Sequence, residues 1–415
     1  MRVAHFVQRY PPALGGSEAY LARLSRYLAA RGHEVTVFTT TALDLDAFWA
    51  TRGKCLPPGT SFQDGVTVRR YALWRLPWHT RCLKALSLVP HRPWQCWTLS
   101  CNPIAWGMWR DSFDTSQPFD VVHATAFPYG WPLACARRLA RTLQAPFFLT
   151  PFLHFGDPEN ARDRIRAAYT HPALLALARD ATRLFVQTEG ERRLLLERGF
   201  PAQRVILQGM GLDVASCTGG DRDAARAAWA AGKDEVVIGH LANQSREKGS
   251  IDLLRAAQLI SNQGIRFRVV LAGPEMPNFQ GFWKTYATQN RVLKLGVLDA
   301  QQKKDFFAGI DLFALPSRSD SFGLVLLEAW ANGAPSVAYR AGGVAWVIRD
   351  EVDGLLVRCG DVGGLAVALV RLIQDAQLRR RLGGAGQART HTEFQWEDKL
   401  AIVERAYLEA AANSK

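Results

Sequence analysis

No apolar run in the chain reaches the ~18–20 residues that a bilayer-spanning helix needs, so no such span is expected. The opening Met1-Arg-Val-Ala-His-Phe-Val turns polar too soon for a signal peptide and reads as a first strand. Cysteine is sparse: seven residues (55, 82, 96, 101, 135, 217, 359), an odd number with no Cys-x-x-Cys pair. That argues against a disulfide framework and a metal cluster, and fits free thiols in a reducing cytosol. The net charge of +13 comes without a recognition helix, zinc module or RNA-binding signature. A nucleic-acid partner is therefore not expected, which leaves an anionic membrane surface or acidic substrates. One local absence is sharper: residues 69–110 contain no Asp or Glu.

What is present describes an α/β protein. The length of 415 residues suggests two domains, and 48% hydrophobic residues are enough for two full cores. Strand patterns at Arg2–Val7, Glu34–Phe38, Val66–Arg70, Asp120–His123, Phe147–Thr150, Arg183–Gln187 and Val205–Leu207 alternate with helical stretches such as Glu18–Ala30, Gly130–Thr142 and Glu189–Arg198. A second series runs through Val236–His240, Arg268–Leu271, Asp311–Leu315, Ser336–Tyr339 and Leu355–Val357. Such alternation predicts parallel sheets, with ligands at the carboxyl ends of the strands. The Gly-, Ser- and Thr-rich segment Gln208–Asp221 is the best linker.

The segment Asp320-Ser321-Phe322-Gly323-Leu324-Val325-Leu326-Leu327-Glu328 carries the most chemistry. It begins in a loop after a strand and turns helical from Gly323. The amides of Phe322, Gly323 and Leu324 form the open end of that helix, where phosphate binds well. Glu328 can accept hydrogen bonds from ribose hydroxyls, and Asp320 can reach a second polyol.

This run resembles the acid-x7-acid signature of glycosyltransferase family 4, the retaining sugar-nucleotide transferases of GT-B fold. The first acid there is usually Glu; here it is Asp320. Other segments resemble the family pattern in order along nearly the whole chain. Gly15-Gly16-Ser17-Glu18 looks like its N-terminal glycine loop, with Ser17 placed to cap the helix. Lys248-Gly249 resembles its phosphate-binding lysine, although Asn243 stands where the family has Arg and Arg246 is out of register. Thr150-Pro151-Phe152-Leu153-His154 resembles the strand end that carries the active-site histidine. His123 ends another strand and is a further cleft candidate. Thr188-Glu189 resembles an acceptor-side turn, and Gly209-Met210-Gly211-Leu212-Asp213 an interdomain turn. Gly273-Pro274-Glu275 resembles a turn lining the nucleotide, and Leu295-Gly296-Val297 the turn that meets the base. Gly342-Gly343 and Asp353-Gly354 match the end of the pattern.

The resemblance implies two Rossmann-like domains facing each other across a cleft. Residues 1–208 would bind acceptor and 209–392 the nucleotide sugar, with a last helix at about 393–415 crossing back. It implies a retaining hexosyltransferase that needs no cofactor beyond its nucleoside-diphosphate sugar. His154, Asp320 and Lys248 would be catalytic. Donor contacts would come from Gly16, Lys248, Gly273, Val297, Asp320, Ser321, Phe322, Gly323, Leu324 and Glu328. Gly15, Glu18, His123 and Glu189 would lie on the acceptor side. A glycan or lipid-linked acceptor is expected. The alternatives are a GT-B-like phosphorylase or epimerase, or a non-catalytic sugar-nucleotide-binding protein.

Two further features stay open. Asp44-Leu45-Asp46 and Asp221-Arg222-Asp223 have the spacing of metal-dependent transferases but read as a loop and a helix cap, so no metal is expected. Residues 69–110 combine seven cations with six tryptophans. That composition suits an anionic membrane surface at the cytoplasmic face, an oligosaccharide wall, or a buried insert with snorkelling arginines.

Overall fold

The computed structural model describes residues 1–114, 116, 118–157, 160–286 and 291–413. The chain divides into two compact units. The first comprises Met1–Leu153, Ala167–Gln208 and Leu400–Lys415; the second comprises His154–Arg166 and Gly209–Lys399. Residues 154–166 thus group with the second unit, although the sequence reading assigned them to the first.

The first unit holds an eight-stranded sheet: β1 (Arg2–Phe6), β2 (Glu34–Thr40), β3 (Gly59–Gln63), β4 (Val66–Tyr71), β5 (Val121–Thr125), β6 (Phe147–Thr150), β7 (Arg183–Val186) and β8 (Val205–Leu207). Its order is β3-β4-β2-β1-β5-β6-β7-β8, parallel except for the β3–β4 hairpin. Sequence reading passed over β3 because it has no apolar run and its residues face solvent.

The second unit holds β9 (Val236–Leu241), β10 (Phe267–Ala272), β11 (Val292–Gly296), β12 (Leu312–Leu315), β13 (Ser336–Tyr339) and β14 (Gly354–Val357). The order β11-β10-β9-β12-β13-β14 is the doubly wound arrangement, and it reverses direction between β9 and β12. Ligands in such sheets bind beyond the carboxyl ends of the strands at that reversal. Its core joins strand residues such as Ile238, Val269 and Leu312 to Leu253, Leu254, Leu369 and Leu372 of the flanking helices.

The helix Trp396–Ala412 follows the helix Ala376–Thr392, so the last helix starts three residues later than the expected 393. Ser414 and Lys415, the end of the expected final helix, lie outside the described residues. From Leu400 onward this helix belongs to the first unit. Its Tyr407 is fully buried, with its hydroxyl between His123 Nδ1 and His5 Nε2. Glu404 gathers Tyr27, Arg31 and His33.

Candidate functional site

The loops after β9 and β12 flank the reversal of the second sheet, and they are stitched together. The amide of Arg318 donates to the Glu247 carbonyl at 2.9 Å. Gly249 caps the helix Ser250–Ser261 and lies so close to Pro316 that a Cβ there would fall 1.9 Å from its carbonyl oxygen. Gly343 approaches the other side of the loop: a Cβ would lie 1.7 Å from the Ser321 carbonyl oxygen, while its amide donates to the Asp320 carbonyl at 2.6 Å. The Gly342-Gly343 pair is thus the bed on which Asp320 and Ser321 rest.

On this bed Lys248 Nζ donates to Asp320 Oδ2 at 2.7 Å. Burial pushes the Asp320 carboxyl up, but Lys248, His154 and the Phe322 amide outweigh it and hold it below its ordinary value. His154 belongs to the same cluster, its Nδ1 being 3.4 Å from Ser319 Oγ. Burial pulls its imidazole down to about 4, opposed by Asp320, so the ring is neutral near pH 7. His154, Lys248 and Asp320, separated by up to 166 residues in sequence, are therefore brought together.

Gly323, at φ +83°, turns the chain into the helix Leu324–Ala331 without a side-chain cap. The amides of Gly323 and Leu324 make no hydrogen bond among the described residues. The Phe322 amide, expected to be free, is directed to the Asp320 carboxylate instead. One and a half turns on, Glu328 has Oε1 bound to Lys303 Nζ and Oε2 buried without a partner among the described residues. Burial raises its carboxyl and Lys303 opposes the rise. A cavity of about 490 Å³ adjoins Lys248, lined also by Asn243, Ser245, Glu247, Met276, Pro277 and Asn278. Gly273 follows β10, its amide donating to the Gly296 carbonyl at 2.7 Å. Val297, after β11, is 70% exposed.

Several expectations need correction. His123 does not end its strand; it sits inside β5, fully buried between Tyr407 and Thr150, and is a core histidine. Ser17 does not cap its helix: Gly15 holds the cap position, Gly16 starts the helix, and the Ser17 hydroxyl donates to Glu18. Glu18 is buried and saturated, with Arg9 Nη2 at 2.6 Å from Oε1. Glu189 is half-exposed beside Arg192 and Arg193. The buried acid of that helix is Glu191, whose carboxyl burial pushes up to about 8. Asp44 accepts from the amides of Ala47 and Lys54, and Asp221 caps its helix through the Ala224 amide. Both acids thus serve the backbone.

The tryptophan-rich stretch splits in two. Trp97 and Trp109 pack with Trp131, and Arg138 lies over the Trp109 ring, 3.0 Å from its centroid. Trp78 and Leu88 are instead 78% and 77% exposed, and Leu86, Val89 and Trp94 are exposed as well.

Beside the reversal of its sheet this doubly wound unit thus presents an open helix end, a lysine and a buried carboxylate oxygen without a partner among the described residues. The family profile described as "Glycosyl transferases group 1" matches residues 221–389, and that of "Glycosyl transferase 4-like domain" matches residues 15–211. The chain is 27% identical to the D-inositol 3-phosphate glycosyltransferase of Thermobifida fusca, over 95% of this chain and 89% of that protein. It superposes on the sucrose-phosphate synthase of Thermosynechococcus elongatus with a TM-score of 0.73 at 20% identity, covering 99% of both chains. Anabaena HepE, solved with UDP and glucose, gives 0.71 at 18% identity, covering 99% of this chain and all of that one. The chain belongs to the group 1 glycosyltransferases of family 4 and has the GT-B fold. It is a glycosyltransferase.

Proposed function

We propose that this enzyme transfers a hexose from a nucleoside-diphosphate sugar to a hydroxyl acceptor with retention at the anomeric carbon. The observation that carries this reading is Glu328 Oε2, a buried acceptor without a partner among the described residues, in a helix whose opening amides make no hydrogen bond among them. A buried polar atom left unpaired costs about 1–3 kcal/mol, and a bound hydroxyl removes that cost. In this reading Glu328 takes a ribose hydroxyl, while the amides of Gly323 and Leu324 take diphosphate oxygens. Lys248 has three donors and only one is used by Asp320, so it can serve the diphosphate as well.

Transfer breaks the bond between the anomeric carbon and the diphosphate oxygen and makes one to the acceptor oxygen. The acceptor's proton leaves with the diphosphate. Lys248 and the helix amides stabilise the charge that develops on the leaving group. Neutral His154 offers a hydrogen bond to the sugar without adding a cation beside the anomeric centre. Asp320, ionised, holds the sugar hydroxyls and fixes Lys248. No protein nucleophile is required. The lysine and helix end supply the positive field that a metal supplies elsewhere, so turnover persists in excess chelator. A panel of nucleotide sugars screened by thermal shift, then by donor hydrolysis and product anomer analysis, tests this. Net inversion rejects retention, and no binding of any nucleotide sugar rejects the reading.

The exposed face of residues 78–94 favours a second element, contact with an anionic membrane or lipid-linked acceptor at the cytoplasmic face. Trp78, Leu86, Leu88, Val89 and Trp94 stand exposed among Arg81, Lys84 and Arg92, with no acid nearby in sequence. Each such cation contributes on the order of 1 kcal/mol near an anionic surface. The protein should bind anionic vesicles at low salt and release at high salt. Replacing Arg75, Arg81, Lys84 and Arg92 by Gln should weaken binding while donor hydrolysis continues; indifference of the wild type to such vesicles rejects it.

A further inference from the structure

Glu328 meets a partner that the donor motif does not contain. Lys303, on the helix Ala300–Gly309, places Nζ 2.5 Å from Glu328 Oε1. Its register is fixed at the helix start, where Asp299 accepts from the Gln302 amide and the Gln302 side chain accepts from the Asp299 amide. Lys303 comes next, its own amide bonded to the Asp299 carbonyl at 3.0 Å. One turn later Phe307 lies under its stem, the ammonium 6.0 Å from the ring centroid.

Other charges lie near the helix Leu324–Ala331, Asp213 and Lys304 among them, both acting on Cys217. Arg389, from the helix Ala376–Thr392, lies over Trp330 and pairs with Asp353. Tyr339 of β13 donates to Asp252, and β12 carries no titratable side chain. Cys217 of the helix Val214–Cys217 is a neutral thiol that Glu328 pushes further up, after burial. Among the described residues, Lys303 is the cation that faces Glu328.

We propose that Lys303 is a specificity-determining residue of the nucleotide site: it occupies one oxygen of Glu328, so that Oε2 alone is presented to a nucleoside hydroxyl. This rests on the reading of Glu328 as the ribose contact. A carboxylate buried without a cation gives up its charge, and its hydrogen bonds to hydroxyls weaken. Lys303 opposes both. It also restricts Glu328 to one hydroxyl, leaving ammonium protons for a second.

The test is the ratio of the Kd for 2′,3′-dideoxy-UDP to that for UDP (or for the GDP or ADP pair, if tighter), followed from pH 6 to about 8.5. This ratio isolates the hydroxyl contribution. In the wild type it should be roughly tenfold or more and flat with pH. In Lys303→Met it should fall below about threefold at low pH and recover as Glu328 ionises at high pH. Lys303→Arg should restore the flat profile, and Lys303→Gln replaces the Met variant if that form does not fold. A Lys303→Met ratio equal to wild type at every pH overturns the inference while the ribose reading stands. A Glu328→Gln ratio equal to wild type overturns the ribose reading itself.

Discussion

Lys248 and Asp320 lie 72 residues apart in sequence and meet at 2.7 Å, joining the turn after β9 to the loop after β12. The pair sets the charge of the donor loop before any substrate arrives. Replacing Lys248 by Ala leaves Asp320 without its counter-charge and, in the proposed mechanism, removes a cation from the diphosphate. Turnover should fall by ~100-fold or more, and Glu328→Ala should do the same, since each removes a charged contact of roughly 1.5–3 kcal/mol or more. Steady-state kinetics with a retained melting temperature checks this; near-normal turnover removes the residue from the mechanism.

Asp320→Glu restores the residue usual in the family but pushes the carboxylate about one methylene toward Lys248 and the sugar. Preference among donor sugars should shift while affinity for the free nucleoside diphosphate stays within about threefold. Equal losses for every donor, with weaker nucleotide binding, would mean that Asp320 only supports its loop.

Gly343→Ala inserts a methyl where 1.7 Å is available to the Ser321 carbonyl. The donor loop must move, although Gly343 is assigned no contact with substrate. Nucleotide affinity should drop at least tenfold, with a stability loss of about 1–3 kcal/mol from overpacking. Unchanged affinity in isothermal titration would show that the loop's position is not set from below.

Glu191 offers a pH signature. Burial raises its carboxyl in the folded state to about 8, against a value near 4.3 in an unfolded chain. Between these values the folded state holds a proton that the unfolded state has lost. Stability therefore falls as pH rises through that window, by up to about 1.4 kcal/mol per pH unit, and levels off above it. Glu191→Gln should melt close to wild type near pH 5 and increasingly above it toward pH 8.5, as read by thermal denaturation across pH. Parallel melting curves would mean that Glu191 is ionised and solvated.

The loop-to-helix turn at residues 320–328 was legible because its signals are local. Asp320, Gly323 and Glu328 lie within one loop and one helix, so spacing alone places them. His154 was legible as a strand-end residue, and the sheets followed from alternation of strand and helix. Lys303 was not legible, because its partner is 25 residues away on another helix and no periodicity pairs them. His123 misled because a histidine one register step from a strand end looks the same in sequence as one inside the strand. Edge strands β3 and β11, short and carrying polar residues, lack the apolar run that marks the central ones.

The order of the first unit's parts along the chain has a consequence for synthesis. Tyr407 closes a polar triad with His5 and His123, yet every residue of 209–399 is translated before it. Nascent domains ordinarily fold in turn from the amino end. Here the triad of the first unit cannot be completed until residue 407 is made, while every residue of the second is made by 399. Slow translation of the second half, or a stalled ribosome before residue 400, would thus expose the older half of the protein to chaperones and proteases.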